Sequence, residues 1–568
     1  MAFQAEHKPI NHLLTNNVLA IPRNQRTYVW KKENWQDLLS DIDFIVGNEE
    51  NKNHFIGSIV LKKESPINGL DQYTIIDGQQ RTITILLLLS AILKLFQENN
   101  MEEDFMGTVQ YLISKDRKNE QYCVLHSEDY ILISDFILKV VKYEDLSSVD
   151  VLINKSVVNR SKGKNVTECI KYFYGTLKHN MEKSPTPQKY LVAVRDKILD
   201  TNYVRITADT DEDSYTIFEI LNARGLDLAD HELLKNYIMR YILPKNQIDI
   251  VKKKWEWIEN SLGTSINRFF KHYAVHKIGT TPKEQVYRTI QKAYTKDKVS
   301  ELLDDLIQKT KYYSILLNPE IDGDKRNCSS LEYRILKFFK NKRAEQFRPI
   351  ILSLMSKKGA GLLNETKYND ILHFLFSFFV CYNIIGEEKS NKLEDTIYKY
   401  APTIENNFSD EELDRFVDSL KKKTPTLKTF TEKFRTLGWS NHYDFYKDSK
   451  QKERVRIVLE LLESHYSKTD FIDDFTIEHI FPDSQDTINA LIGNLIPLEK
   501  GLNDKCKDKE IADKLSYYAQ SKYKLARNFA DIYKDKDLDI DKRMKYMAKA
   551  IYKDILNLEE MDKKYRNE

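Results

Sequence analysis

Residues 475–503 constrain this chain more than any other stretch, because they fix five polar or ring positions in order: FTIEHIFP at 475–482, IGNLIPL at 492–498, then Asn503. Glu478 and His479 are adjacent, Pro482 follows three residues later, and Asn494 and Asn503 come after it. FTIEHIF has the character of a strand, Pro482 and the DSQD behind it end that strand in a loop, and Asn503 opens a helical stretch over 503–520. A carboxylate, an imidazole and two amides in this order are how a ββα-metal nuclease site reads.

Chemistry explains why those residue types belong together. Cleaving a phosphodiester requires acceleration toward the upper end of what enzymes achieve, whereas one positioned base contributes roughly 10²–10⁴-fold. A divalent cation adds charge neutralisation at the phosphate and support for the leaving oxygen, and one carboxylate plus amide carbonyls suits Mg²⁺ or Mn²⁺. Glu478 and Asn503 supply such ligands. His479, with an unperturbed pKa of about 6.5, is mostly free near neutral pH to take a proton from water. On a regular strand Glu478 and His479 point to opposite faces, so a shared site calls for a bend in the chain. Asn494, inside Gly493-Asn494-Leu495, is expected to pin the loop through backbone hydrogen bonds. The catalytic set is thus His479, Glu478, Asn494 and Asn503, with Glu478 and Asn503 on the metal. Read singly, the Glu-His pair describes a buried structural histidine beside a turn; the ordered set favours the nuclease.

With 568 residues the chain is too long for one core, and usual domain sizes predict about three to four. Its 41% hydrophobic and 31% charged residues describe a soluble globular protein, and a net charge of +2 provides no long-range field toward nucleic acid. Nucleic-acid contact must therefore come from local patches. From Lys500 onward there are 18 Lys and Arg against 14 Asp and Glu, interleaved with Tyr517, Tyr518, Tyr523 and Tyr533, which is equally the composition of a solvated helical face. The five cysteines, Cys123, Cys169, Cys328, Cys381 and Cys506, include no C-x-x-C pair, which fits a reducing cytoplasm. The polar N-terminus has no signal-peptide character. The apolar run ILLLLSAILKLF at 85–96 is shorter than a bilayer span and reads as a buried helix.

The N-terminal half alternates strand-like and helix-like pieces, and in ENWQDLLSDIDFIV an apolar stripe recurs at Trp35, Leu38, Leu39, Ile42, Ile45 and Val46. Its chemically loaded point is Asp77-Gly78-Gln79-Gln80-Arg81, between the strand YTII and the following helix. Gly78 permits close backbone approach, the helix N-terminus presents N–H groups to a phosphate, Arg81 adds a bidentate fork, and Asp77 suits a metal or a water. Together they read as a nucleotide phosphate cradle, and Gln25 and Arg26 in PRNQRTY could face the same pocket. DGQQR is equally readable as a turn with capping residues.

At these positions the sequence resembles the GmrSD-type modification-dependent (type IV) restriction endonucleases. The C-terminal motif resembles their His-Asn-His (HNH) nuclease half. IPRNQRTYVW, HFIGSIVL and YTIIDGQQRTITILLLL, in that order, look like their ParB/sulfiredoxin-like NTPase half. The pattern continues at FEILNARGLDLADHELLKNYIM, 218–239, where Asn222 and Arg224 either complete the nucleotide pocket or cap a helix end, and Asp230 is a candidate N-cap. One departure is Asn24, where the family commonly has an aromatic before Gln-Arg; it touches base or sugar stacking and not phosphate binding.

The expected architecture is α+β and predominantly helical: a ParB/sulfiredoxin-like α/β NTPase and sensing domain over 1–240, a helical middle domain over 241–430, and a ββα-metal (HNH) nuclease domain over 431–568. The resemblance implies an NTP-regulated, divalent-metal-dependent endonuclease that restricts foreign, modified DNA in the cytoplasm, with no membrane partner and homo-oligomerisation left open. A nuclease acting on RNA or as a nickase, or an NTP-switched nucleic-acid-binding module, fits the same residues. In the middle, aromatic stripes such as LEYRILKFFK are read as core. His272 and His276 have the spacing of a helical metal pair but lack an acidic residue between them, and are read as surface or interhelix residues. Arg454 and Arg456, in the helix leading to the nuclease motif, are candidates for touching DNA or for pairing with Glu453 and Glu460.

Overall fold

The computed structural model describes residues 3–22, 25, 27–46, 55–126, 131–156, 163–210, 213–214, 217, 229–244, 249–279, 286–319, 330–469, 474–507 and 509–558. They form two compact units, Met1–Trp255 and Glu256–Glu568. Arg26, Asn222 and Arg224 lie outside the described residues.

The first unit is built on a mixed six-stranded sheet. Its strands are β1 (Phe3–Pro9), β2 (Asn17–Ala20), β3 (Phe55–Lys63), β4 (Asp71–Asp77), β7 (Leu125–His126) and β8 (Asn202–Ala208), in the spatial order β1-β8-β3-β4-β2-β7. A separate two-stranded ribbon joins β5 (Ile113–Lys115) to β6 (Gln121–Cys123). The helices that position the candidate site are α1 (Lys32–Val46), α2 (Gln79–Glu98), α3 (Lys164–Lys183) and α4 (Pro187–Asp200). On α1 the expected stripe appears, with Trp35, Leu39 and Ile42 buried. Helix α2 is apolar on every side and is therefore buried on every side, packed against α3. Its hydroxyls are satisfied within the helix, as when Ser90 Oγ donates to the Leu86 carbonyl at 2.7 Å.

Only two short strands occur among the described residues of the second unit, β9 (Thr476–His479) and β10 (Leu495–Leu498); the rest is helical. The helices used below are α5 (Ile266–Ile278), α6 (Val299–Leu317), α7 (Arg348–Gly359), α8 (Glu394–Asn406), α9 (Ser449–Ser467), α10 (Lys500–Cys506), α11 (Ile511–Tyr518), α12 (Lys524–Tyr533) and α13 (Ile540–Lys549). His272 and His276 on α5 are interhelix residues: His272 Nδ1 lies 2.7 Å from the Tyr313 hydroxyl on α6, and His276 Nδ1 lies 2.7 Å from Ser353 Oγ on α7. Gln79–Glu98 and Glu365–Ile385 are long and apolar enough to cross a membrane, but 94% and 72% of those stretches are buried within the protein.

Sequence expectation and structure part company at three places. The helical stretch expected from Asn503 begins earlier, at Lys500, and breaks at Lys507, whose backbone leaves the helical region with φ 29° and ψ −119°. Asp230 is not the N-cap of its helix; Ala229 holds that position and Asp230 stands in the first turn, where its charge faces the positive helix end. Tyr518 and Tyr523 are core residues, so the lysine-tyrosine interleaving after Lys500 is not a single exposed face.

Candidate active site

β9 and β10 form an antiparallel hairpin in unbroken register, His479 opposite Leu495 and Glu478 opposite Ile496. The strand stays regular through His479 and bends only at Ile480–Phe481. The expected bend therefore comes too late to turn Glu478 and His479 the same way, and the two side chains meet different neighbours.

His479 faces a segment that precedes α9. Its Nε2 lies 2.8 Å from the Trp439 carbonyl oxygen, and the Trp439 indole stacks on the imidazole at 5.2 Å between centroids and 27° between planes. A carbonyl has no hydrogen to give, so the contact puts the proton on Nε2 and leaves the Nδ1 lone pair as the base. Burial pushes the His479 pKa below its usual value, against the opposing pull of the Trp439 carbonyl and of Asp483, whose Oδ2 lies 3.8 Å from Nε2. The result is an imidazole that is neutral near pH 7. Trp439 is itself fixed, its N–H donating to the Ala490 carbonyl at 2.8 Å, while the Ile492 N–H donates to the Leu437 carbonyl at 2.9 Å.

Glu478 faces α11. Lys514 Nζ and the Tyr518 hydroxyl both donate to its Oε1, at 2.9 and 3.1 Å, and Lys514 also donates to the His479 carbonyl at 2.8 Å. Burial raises the Glu478 pKa, with Lys514 opposing. Asn503, on α10, spends both amide hydrogens on β9, donating to Thr476 Oγ1 at 2.9 Å and to the Ile477 carbonyl at 3.3 Å. Its Oδ1 is thereby the atom left to coordinate. Cys506, one turn further along α10, lies within electrostatic reach of Glu478. Among the described residues no group of three or more His, Cys, Asp and Glu side chains is placed to hold a metal. Glu478 Oε2 and Asn503 Oδ1 are one carboxylate and one amide oxygen. By ligand chemistry these two oxygens suit Mg²⁺ or Mn²⁺ and not the nitrogen- and sulfur-rich shell of zinc, while the Glu478 carboxylate is already engaged by Lys514, Tyr518 and the His479 backbone.

The scaffold around the hairpin is tightly bonded. Asn494 is fully buried: its Oδ1 accepts from the Phe481 N–H at 2.9 Å, and its Nδ2 donates to the carbonyls of Phe481 at 2.8 Å and Asn489 at 2.7 Å. This is the loop-pinning role expected for it. Arg543 on α13 donates to the carbonyls of Gly493 at 2.6 Å and Leu495 at 3.1 Å. Arg456 on α9 donates to the Phe475 carbonyl at 2.7 Å, and Arg454 reaches the Ile384 carbonyl at 2.8 Å and the Glu387 carboxylate. Arg456 thus holds the backbone just ahead of the motif, and Arg454 ties α9 to the 384–387 segment.

In the first unit, Gly78 ends β4 with φ +94° and opens α2, whose first turn has neither a side-chain cap nor an acidic residue. Asp77 closes β4 opposite Val60. Gln80 holds the 27–29 stretch, accepting from the Val29 N–H at 2.9 Å and donating to the Thr27 carbonyl at 3.2 Å; Gln25 donates to the Ile76 carbonyl at 2.7 Å. These two amides brace the loop, and Gln79 is buried in the first turn. Arg81 crosses Gly57, where a Cβ would lie 3.1 Å from Cζ, and donates to the Ser58 carbonyl at 2.9 Å. It borders a cleft of about 280 Å³ lined also by Trp30, Asn34, Asp37, Asp41 and Phe55.

Trp439, Asp483 and Lys514, with His442, whose Nε2 lies 3.7 Å from Asp483 Oδ1, are neighbours of the candidate centre that sequence reasoning missed. Asp483 stands four residues after His479 and was open to inspection; the others are brought in across more than 30 residues with no local pattern to mark them.

Two family models match the chain. Residues 10–239 match the N-terminal domain of the GmrSD restriction endonuclease, and residues 432–550 match the C-terminal domain of the GmrSD restriction endonucleases. No curated protein matches the chain.

Proposed function

Because the chain belongs to the GmrSD restriction endonuclease family, we propose that it is an NTP-regulated, divalent-metal-dependent DNA endonuclease acting on modified foreign DNA in the cytoplasm, with an HNH-type centre at His479. The observation that carries this reading is the state of His479: Nε2 tied to the Trp439 carbonyl, the ring kept neutral by burial, and Nδ1 left with its lone pair. Nδ1 takes a proton from the attacking water, and the Asp483 carboxylate, 3.8 Å from Nε2, stabilises the imidazolium that results. Asn494 keeps the chain after His479 in place through its three backbone bonds. A divalent ion held by Glu478 and Asn503 would supply charge neutralisation at the phosphate.

In the first unit the start of α2, with Asp77, Gly78 and Arg81, is the proposed phosphate site of the regulating nucleotide, and Gln25, Gln79 and Gln80 form its wall. Arg26, Asn222 and Arg224 belong to the same proposal by resemblance.

The test is His479→Ala, assayed on modified phage DNA with Mg²⁺ or Mn²⁺. Cleavage should disappear while the circular dichroism spectrum and NTP hydrolysis persist; a variant that cuts at the parental rate would sink the reading. Unchanged NTP turnover in both Asp77→Ala and Arg81→Ala would remove the nucleotide assignment. A second reading, a nucleic-acid-binding module with a silent nuclease half, has one observation in its favour: the Lys514 ammonium already neutralises Glu478. Calorimetric Mn²⁺ titration separates the two, since only the nuclease reading expects an ion bound through Glu478.

A further inference from the structure

Phosphodiester hydrolysis moves two protons: one leaves the attacking water and one arrives on the departing oxygen. His479 accounts for the first only, because the proton on its Nε2 is committed to the Trp439 carbonyl. A second imidazole stands on the same carboxylate. Asp483 Oδ2 lies 3.8 Å from His479 Nε2, and Asp483 Oδ1 lies 3.7 Å from His442 Nε2. The side chain of His442 is 55% exposed, against 13% for His479, so it is the more accessible of the two rings.

The placement is built and not incidental. Ser440 Oγ donates to Asp483 at 2.6 Å and accepts from the His442 N–H at 3.0 Å, so one hydroxyl fixes both the carboxylate and the backbone of the histidine it faces. Trp439, one residue before, is anchored to the Ala490 carbonyl at 2.8 Å and stacked on the base. The segment Trp439–His442 thus delivers two groups to one centre, a carbonyl that sets the tautomer of the base and an imidazole that the base lacks.

We propose that His442 is the general acid that protonates the leaving oxygen of the scissile phosphodiester, a role that rests on the nuclease reading of His479. A water oxygen forms the new bond to phosphorus and loses its proton to His479 Nδ1. The bond from phosphorus to the leaving oxygen breaks, that oxygen keeps the electron pair, and it takes a proton from His442. The Asp483 carboxylate lies between the two rings, 3.7 Å from His442 Nε2 and 3.8 Å from His479 Nε2, and faces the newly charged His479 after the transfer. Exchange with solvent returns both rings to their starting states, so the sum is hydrolysis with no further reactant.

The test compares DNA with bis(p-nitrophenyl) phosphate, whose p-nitrophenolate departs without a proton. His442→Asn should slow DNA cleavage by about 100-fold or more yet stay within about threefold of the parent on the activated diester, whereas His479→Ala should be impaired on both. His442 is exposed, so the variant is expected to fold as the parent does. Equal loss on both substrates, or DNA cleavage at the parental rate, overturns the acid assignment and leaves the nuclease reading standing. A parent protein inactive on both substrates overturns the nuclease reading and the assignment with it.

Discussion

Asn494 defines a loop by itself. Its amide closes three backbone hydrogen bonds, and removing it leaves the Phe481 N–H and the carbonyls of Phe481 and Asn489 without that partner, the last of them in a buried position. Each unmet buried group costs about 1–3 kcal/mol, so Asn494→Ala should destabilise the second unit by roughly 2–4 kcal/mol and abolish cutting. Denaturant unfolding and a cleavage assay measure the two effects, and a variant that keeps both stability and activity would contradict the role. This residue was legible because Gly-Asn-Leu is local turn chemistry. Trp439 and Lys514 were not legible, because nothing near Trp439 marks a carbonyl that will meet an imidazole 40 residues later. The pairing of Glu478 with Lys514 also depends on how α11 packs against β9, which no spacing rule encodes.

At the scale of elements, the run 85–96 was read correctly as a buried helix because a segment apolar all round has no solvent face. What the pattern leaves out is how tightly the helix start meets the sheet. Gly78 has φ +94°, and a Cβ there would lie 2.9 Å from Ile59 Cγ1 and 3.2 Å from Ile59 Cα. Gly78→Ala adds left-handed backbone strain of about 1–2 kcal/mol to that clash, so a loss of roughly 2 kcal/mol or more is expected in the first unit. Gly175, inside α3, is the control: a Cβ there has nothing within 4 Å, and Gly175→Ala should raise stability by up to about 1 kcal/mol. Thermal melts of the two variants should move in opposite directions. A Gly78→Ala protein as stable as its parent would show that the turn is looser than described.

For the whole molecule, the sequence suggested a break at 430/431, next to where the C-terminal family match begins, at 432, and that point lies within one compact unit. Tyr552 donates to the Pro425 carbonyl at 3.0 Å and packs on Phe430, so chain on both sides of the break shares one core. A family boundary is therefore not a packing boundary here, since this contact spans 127 residues of chain. The same unit should be acid-labile. Burial, reinforced by Arg348, Lys271 and Arg268, pushes the His272 pKa down to about 3. An unfolded histidine titrates near 6.5, so in acid the unfolded chain binds the extra proton and the folded protein does not. Stability from this site is fully present above about pH 6.5 and declines by roughly 1 kcal/mol per unit as pH falls toward 3. Denaturation midpoints at pH 7 and 4.5 should therefore differ less in His272→Gln than in the parent; an unchanged difference would show that other groups govern the acid limb.

The face-to-face seating of Trp439 on His479, 5.2 Å between ring centres, gives the protein an internal optical reporter. In a variant that keeps Trp439 and replaces the other four tryptophans by phenylalanine, emission would come from that ring alone and would dim as the imidazole beneath it gains a proton, so a pH titration of the light would report the state of His479.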